Sequence, residues 1–450
     1  MRLTSIDIDN FRCHKHCHID FNDRLTVIVG TNGAGKTSIL EAARIAIGSF
    51  SAAMKVINRG CDSIQNDDVR TEWYEVGSVI DVQPQYPSII TANGIINESD
   101  IDENDNGKEN IDKEEIDKEN IQWSRAKCFK ESRCTLADAE RITYIASRYL
   151  ARLKKGDKNL LLPIVAYYGT SRLWNLHRDT KKNFAKKNSR TDGYIDALDG
   201  TANDKLMLRW FYNMASTQFE NEEPIPEYQA VRKAMESFFN QITGTKKSKV
   251  VYNRFEQGID FVYEENGRKV RIPLRLMSDG YRCSISLVAD IAYRMAILNP
   301  QLFDKVIDKT SGVVLIDEID LHLHPSWQQK ILGILQNIFQ KVQFIVSTHA
   351  PSVINSVKQE NIRILTENGV ETAPIEVYGK DVNGILKSIM ESNSRPSEVL
   401  ELFEKFHNDM DESNYADAES VLREIASKIG ENDPELVAAQ VELDLEQNLK

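Results

Sequence analysis

The sequence predicts an α/β fold: a mixed β-sheet flanked by helices, with a helical subdomain and an α-helical C-terminal tail. Three observations predict it. An apolar run, Leu25-Thr26-Val27-Ile28-Val29, feeds a glycine-rich loop from Gly30 to Lys36, and a helical pattern follows with Ile39, Leu40, Ala43 and Ile47 on one face. Two more short apolar runs, Val313–Ile316 and Phe344–Ser347, end in polar residues, as buried strands of a parallel sheet do. After Pro396 the pattern becomes three amphipathic helices, broken near Asp411–Asn414 and at Gly430–Pro434.

The elements follow in order. Leu3-Thr4-Ser5-Ile6-Asp7-Ile8 alternates, so residues 1–29 read as strands. Residues 98–120 carry 11 acids and 3 bases in a near-repeat (Lys-Glu-Asn-Ile-Asp, Lys-Glu-Glu-Ile-Asp, Lys-Glu-Asn-Ile-Gln) whose period of five fits neither helix nor strand. High charge and few large apolar residues make this an expected disordered surface insertion. Residues 135–240 are mostly helical in pattern, broken near Pro163 and at 178–190. Val250-Val251-Tyr252 and Ile259–Tyr263 read as strands, with a hairpin turn at Glu-Asn-Gly-Arg after them. Residues 284–298 read as a helix.

Composition bounds the class. The chain has 450 residues, 41% of them hydrophobic, enough for a large domain with insertions or two domains and a tail. No apolar run reaches the ~18 residues of a membrane span, and acids near the N-terminus do not fit a signal peptide. Six scattered cysteines fit reduced thiols, so a cytoplasmic protein is expected. The net charge of −12 is uneven: residues 395–450 hold 15 acids against 5 bases, and residues 124–190 hold 17 bases against 5 acids. The local sign of each segment therefore says more about partners than the total does.

Gly30-Thr31-Asn32-Gly33-Ala34-Gly35-Lys36-Thr37 fits the phosphate-loop pattern G-x-x-x-x-G-K-S/T between a strand and a helix. Glycines let backbone N–H groups turn toward phosphate oxygens, and the helix start adds partial positive charge. Asn32, Gly33, Ala34, Gly35, Lys36, Thr37 and Ser38 are the expected ATP-binding residues, with Lys36 on the β- and γ-phosphates and Thr37 on Mg²⁺. Asp317 and Glu318 emerge at the C-terminal end of an apolar strand, where open α/β sheets bind ligands. Asp317 is the expected second Mg²⁺ residue and Glu318 the residue that polarises the attacking water. His349, at the tip of the following strand, is the expected γ-phosphate or water contact. Ser278-Asp279-Gly280 precedes a helix and offers a second phosphate-binding surface, although Ser278 would serve equally as an ordinary N-cap.

These four elements in this order resemble the ABC ATPase head of the SMC and RecF kind. Ser278-Asp279-Gly280 looks like the ABC signature and His349 like the switch histidine. The opening through Asn10-Phe11-Arg12 looks like the start of such heads, which puts Arg12 near the nucleotide. The glutamine that ABC proteins carry between the first motif and the signature is not identifiable. Leu162–Trp174, Asp320–Gln328 and Ser347–Pro351 further resemble compact single-head ATPases of bacterial antiphage systems, nearest the ATPase subunit of Septu, which also occurs beside some retrons. The resemblance implies a two-fold dimer in which the signature of one chain faces the ATP of the other. It divides the chain into an N-terminal head part (1–97), the acidic insertion (98–120), a helical and basic region (121–248), a C-terminal head part (249–394) and the acidic tail (395–450).

Other features weigh less. Cys13-His14-Lys15-His16-Cys17-His18 invites a zinc reading, but no second ligand pair stands out and strand alternation would split the cluster. His322 and His324, beside Pro325, read as loop-shape residues. The basic stretch 178–190 is an expected nucleic-acid contact, with a solvated loop the plain alternative. The tail, 396–450, is an expected docking element for a partner nuclease of the HNH type, with a helical cap on the head as the plain alternative. The competing functions are a DNA-repair ATPase of the RecF kind and a nuclease with its own catalytic domain. The latter needs acid-bearing strands after His349, where the pattern is helical.

Overall fold

The computed structural model describes residues 1–54, 63–96, 119–170, 189–200, 204–366, 369–374, 376–380, 384 and 395–448. They fall into two units, Met1–Lys380 and Asp381–Lys450.

The centre of the first unit is a six-stranded sheet in the order β15-β14-β3-β13-β12-β8. Its members are β3 (Leu25–Gly30), β8 (Ile164–Tyr168), β12 (Gly312–Ile316), β13 (Val342–Ser347), β14 (Ile362–Thr366) and β15 (Gly369–Thr372). All neighbours are parallel except the β14–β15 edge pair. Every residue of β3, β8, β12 and β13 is buried, which is why these strands read as unbroken apolar runs rather than alternating ones.

A second, antiparallel sheet has the order β2-β1-β6-β7, from β1 (Arg2–Phe11), β2 (His14–Asp20), β6 (Ser88–Ile96) and β7 (Glu119–Lys127). Helix α1 (Lys36–Ala53) is buried on nearly all sides. The indole N–H of Trp123 on β7 donates to the Ala46 carbonyl at 2.9 Å, and Arg125 reaches Ser49, so this sheet grips α1. Gln343, fully buried on β13, pairs with both backbone groups of Leu3 at 2.7 and 2.8 Å and staples the two sheets together.

Between them run the hairpin β4 (Thr71–Val76) and β5 (Val79–Pro84), then α2 (Glu140–Lys154), α3 (Asp204–Asn221) and α4 (Pro226–Thr243). A three-stranded meander follows: β9 (Ser248–Asn253), β10 (Gly258–Glu265) and β11 (Arg268–Pro273). Its second turn has Asn266 at φ 51° and Gly267 at φ 74°, the left-handed pair that a two-residue hairpin turn needs. Next come α5 (Asp279–Leu298), α6 (Val306–Lys309), α7 (Pro325–Ile338) and α8 (Pro351–Ile354).

The second unit holds α9 (Ser397–Asp411), α10 (Tyr415–Ile429) and α11 (Pro434–Asn448). Val399, Phe403, Phe406, Val421, Leu422, Ile425, Leu436 and Leu443 form its own core.

Two expectations need adjusting. Residues 135–240 are mostly helical among the described residues, and the break near Pro163 is a strand, β8, which pairs with β12 at the heart of the sheet. The region expected to be helical from 121 onward opens instead inside β7. The expected disordered stretch 98–120 lies outside the described residues except Glu119 and Asn120, which are already in that strand.

Candidate active site

The loop between β3 and α1 ends at Gly35, whose φ of 101° is a backbone state that side chains rarely tolerate. Space excludes a side chain there as well: a Cβ would stand 2.4 Å from His14 Nε2 and 2.5 Å from Cys13 Sγ. Helix α1 starts with neither a capping side chain nor an acid in its first turn, which suits an anion at that end. Thr31, Asn32, Gly33 and Thr37 are exposed, Ala34 and Gly35 half-buried, and Lys36 and Ser38 buried. The Lys36 ammonium donates to the carbonyls of Gly30 and Thr31, both at 2.8 Å. Burial lowers its pKa, and the nearby carboxylates of Asp317, Glu318 and Asp320 oppose that shift.

Asp317 stands just past β12, buried, with its N–H donating to the Tyr168 carbonyl at the end of β8. Its two oxygens are held from two directions. Thr37 Oγ1 donates to Oδ2 at 2.9 Å, and Ser347 Oγ donates to Oδ1 at 2.5 Å. The Ser347 hydroxyl also accepts the backbone N–H of Glu318 at 2.8 Å. Glu318 has φ 46°, uncommon for a residue with a side chain, so that N–H···Oγ bond fixes an unusual turn at the strand tip. Thr348 donates to Asp320 at 2.5 Å in the same way. His349 is half-buried beyond the end of β13, and its pKa is lowered by burial first and by the Lys36 ammonium second.

The parallel sheet thus brings Lys36, Thr37, Asp317, Glu318 and His349 together, although they span more than 300 positions of sequence. Thr37 and Asp317 offer only oxygen donors, the set a hard cation such as Mg²⁺ takes. The loop and the bare helix start fit the phosphates of ATP. Among the described residues, no group of three or more His, Cys, Asp or Glu could hold a metal.

Ser278 caps the start of α5 without a side-chain hydrogen bond and is exposed, as is Asp279. Gly280 is buried, and a Cβ there would stand 2.5 Å from the His322 carbonyl. The glycine therefore admits close packing of α5 under the segment that follows Glu318.

A family model described as an AAA domain matches residues 5–247, more than half of the chain. The chain belongs to this family of ATPases. A second model, described as an AAA ATPase domain, matches residues 213–354. The chain is 25% identical to "Retron Vc95 probable ATPase" of Vibrio cholerae over 91% of its own length and 83% of the relative's. It is 25% identical to "Retron Ec83 probable ATPase" of Escherichia coli, over 99% of this chain and 87% of that one. It is 34% identical to "Septu protein PtuA" of Bacillus mycoides over 36% of this chain and 21% of the relative. Among solved structures, the SMC head domain from Thermotoga maritima matches 83% of this AAA-family chain and 100% of its own, at 15% identity and TM-score 0.43.

Other residues singled out in the sequence take part in local structural contacts. Of the basic stretch 178–190, residues 178–188 lie outside the described residues. Arg190 is no free phosphate contact: its guanidinium donates to the carbonyls of Leu298 at 2.7 Å and Leu160 at 2.5 Å, closing the end of α5. His324 caps α7, its side chain accepting from the Ser326 N–H. His16 and His18 pair across strands with Asp9 and Asp7. Arg12 holds Asp68 at 2.9 Å and points toward Glu41 of α1. Among the described residues, no helix is long and apolar enough to cross a membrane.

Three parts of this shell escape sequence reasoning. Ser347 reads as no more than the polar end of a strand, yet it organises both acids. Cys13 and His14 lie against the phosphate loop, His14 Nε2 3.2 Å from the Gly35 carbonyl and Cys13 Sγ 3.8 Å from Ser38. The end of β8 borders Asp317 through the Tyr168 carbonyl.

Proposed function

We propose that this ATPase is the regulatory subunit of an antiphage defence complex. ATP binding closes a two-fold dimer, and its opening and closing gate a partner nuclease, expected to be of the HNH type. The observation that carries the reading is the extent of the retron relatives: the alignment spans 99% of this chain, tail included, and 87% of the relative. A repair ATPase of the RecF kind is supported more narrowly, by 45% identity confined to 42 residues, 9% of the chain.

In this reading Asn32–Ser38 cradle the phosphates, and Thr37 and Asp317 hold Mg²⁺, which supplies charge neutralisation on the phosphate oxygens when bound. Glu318 acts as general base on water and His349 contacts the γ-phosphate side. Ser278, Asp279 and Gly280 complete the nucleotide site of the other chain. The segments 1–97 and 249–394 form the head, and the acidic tail, 395–450, docks the partner. An acidic surface repels nucleic acid, so a protein is the better occupant for the tail.

Two experiments test this. Glu318→Gln should keep ATP affinity, slow hydrolysis strongly and favour ATP-dependent dimers in light scattering. Wild-type turnover in that variant would sink the base assignment. Removing residues 396–450 should leave ATP hydrolysis intact and abolish co-purification of a co-expressed HNH-type nuclease that the full-length protein captures. If the truncated protein still captures that nuclease, or full-length protein never does, the docking reading fails.

A further inference from the structure

A cavity of about 360 Å³ lies between α3, the β10–β11 hairpin and the start of α5. Met207 and Leu208 line it from α3, Ile259 from β10 and Leu274 from the segment that leads to Ser278. Small-molecule sites have volumes of roughly 300–1,000 Å³ and combine apolar walls with a few polar groups. None of the lining residues belongs to the phosphate loop or to the tips of β12 and β13, so this space is separate from the candidate active site.

Two polar groups stand in the apolar wall. Asp260 on β10 is 1% exposed. Its Oδ2 accepts from Asn253 Nδ2 at 2.9 Å and from Arg271 Nε at 2.7 Å. Its Oδ1 is buried and has no hydrogen-bond partner. A buried acceptor left unpaired is costly, and folded interiors rarely leave one without a bound donor. The second group is the half-buried Ser286, near the start of α5.

The charges around the cavity are already paired within the chain. Arg275 pairs with Glu256, Arg282 with Asp279 at 3.4 Å, and Arg271 with Asp260 itself. A phosphate or an ammonium entering here would give up its hydration without a free counter-charge among these groups. The cavity therefore suits a ligand without net charge. Such a ligand has to bring an N–H for Asp260, a hydrogen-bonding group for the Ser286 hydroxyl and apolar surface for the aliphatic wall. A nucleobase carries all three in one compact ring.

We propose that this cavity binds a small uncharged heterocycle, a nucleobase or nucleoside, which donates a ring or amino N–H to Asp260 Oδ1 and exchanges a hydrogen bond with Ser286. Met207, Leu208 and Leu274 cover its apolar surface. The bound ring touches both the chain that leads to Ser278 and the first turns of α5, so it holds these two segments together. The site stands whether or not the chain dimerises.

The test uses full-length protein with a non-hydrolysable ATP analogue and Mg²⁺ in excess, which keeps the phosphate loop occupied. Adenosine, guanosine, cytidine and uridine are titrated in turn by calorimetry. At least one should bind saturably. Ser286→Met, which carries a longer side chain into the cavity, should weaken that binding at least about tenfold. Inorganic phosphate and butylamine, two charged probes, should not displace the nucleoside. A second measurement needs no variant: in the wild-type protein the bound nucleoside should slow amide exchange in residues 273–286. If none of the four binds saturably, water alone serves Asp260 Oδ1 and the inference fails. Binding unchanged by Ser286→Met, or protection that falls elsewhere, puts the nucleoside at another site and overturns it as well. Displacement by phosphate or butylamine overturns the uncharged class. None of these results touches the ATPase reading, which rests on other residues.

Discussion

Replacing Ser347 by alanine tests whether the acid pair is held by its neighbour strand. The hydroxyl is fully buried, donates to Asp317 at 2.5 Å and accepts from the Glu318 N–H at 2.8 Å. A hydrogen bond to a charged acceptor contributes ~1.5–3 kcal/mol, and a buried N–H left without its acceptor costs ~1–3 kcal/mol. The two losses overlap, since the freed Glu318 turn can relax, so a net destabilisation of ~2–4 kcal/mol is expected. Turnover should suffer separately. With Glu318 no longer fixed at φ 46°, its carboxylate loses its set position. A barrier increase of ~1.4–2.7 kcal/mol corresponds to a roughly 10–100-fold lower kcat. ATP affinity should hold, because the phosphate loop is untouched. Ser347→Thr keeps the hydroxyl and adds a methyl to a fully buried site, so it should restore most of kcat while remaining destabilised by ~1–3 kcal/mol. Steady-state ATPase kinetics with thermal unfolding of the three proteins separate these effects. If Ser347→Ala unfolds more easily yet keeps wild-type kcat, Ser347 supports the fold only and the positioning role is refuted.

Three further outcomes follow from the same geometry. Lys36→Ala should abolish ATP binding in equilibrium titration, since the phosphate loop holds no second cation to replace the buried ammonium; unchanged affinity would remove the phosphate-loop assignment. Ser278→Arg should leave ATP binding by the monomer intact and block ATP-dependent dimers, because the exposed cap residue would carry a bulky side chain into the other chain's nucleotide; dimers that persist in light scattering would remove the signature assignment. His349 has its pKa lowered by burial and by Lys36. Its neutral form should therefore persist through the ordinary histidine value of ~6.5. On the acid side, kcat should stay flat down to that pH and fall only below it, and His349→Ala should lack this acid limb. A decline that begins above pH ~7 in wild type and vanishes in the variant would contradict the direction of the shift.

The strands that present the candidate site residues are legible in the sequence because burial on both faces writes a run that no amphipathic pattern imitates, as in Val313–Ile316 and Phe344–Ser347. Strand β8 has the same signature in Ile164-Val165-Ala166-Tyr167-Tyr168, yet it sits inside a long helical stretch, where five apolar residues after Pro163 are easily taken for a helix break. The β4–β5 ribbon has no fully buried face, so it shows no inward-outward alternation; its only signal is the Gly77-Ser78 turn between two β-branched and aromatic runs. The tail is readable from period alone because each helix buries one stripe: Val399, Phe403 and Phe406 on the first, Val421, Leu422 and Ile425 on the second. Contacts between distant positions leave no such trace. Nothing in the spacing of Ser347 and Glu318, or of His14 and Gly35, says that they touch.

The geometry also links the phosphate loop and the Ser278-Asp279-Gly280 segment within one chain. Asp317 and Glu318 open a short segment that ends at His322. Its near end is held by Thr37 and Ser347, and its middle by the Thr348–Asp320 bond. Its far end presents the His322 carbonyl to Gly280, in a conformation with φ 64° at His322. One short segment therefore touches the phosphate-loop threonine at one end and the signature glycine at the other. Glycine at 280 is required by the approach itself, because any Cβ would push against backbone rather than a movable side chain. Next to Gly280, Tyr281 meets Trp327 edge-on with ring centroids 4.2 Å apart, which packs α5 against α7. A close-packed interior transmits displacement instead of absorbing it. The strand tip that holds the candidate acids and the start of α5 thus meet through one short segment, by the close approach of Gly280 to the His322 carbonyl.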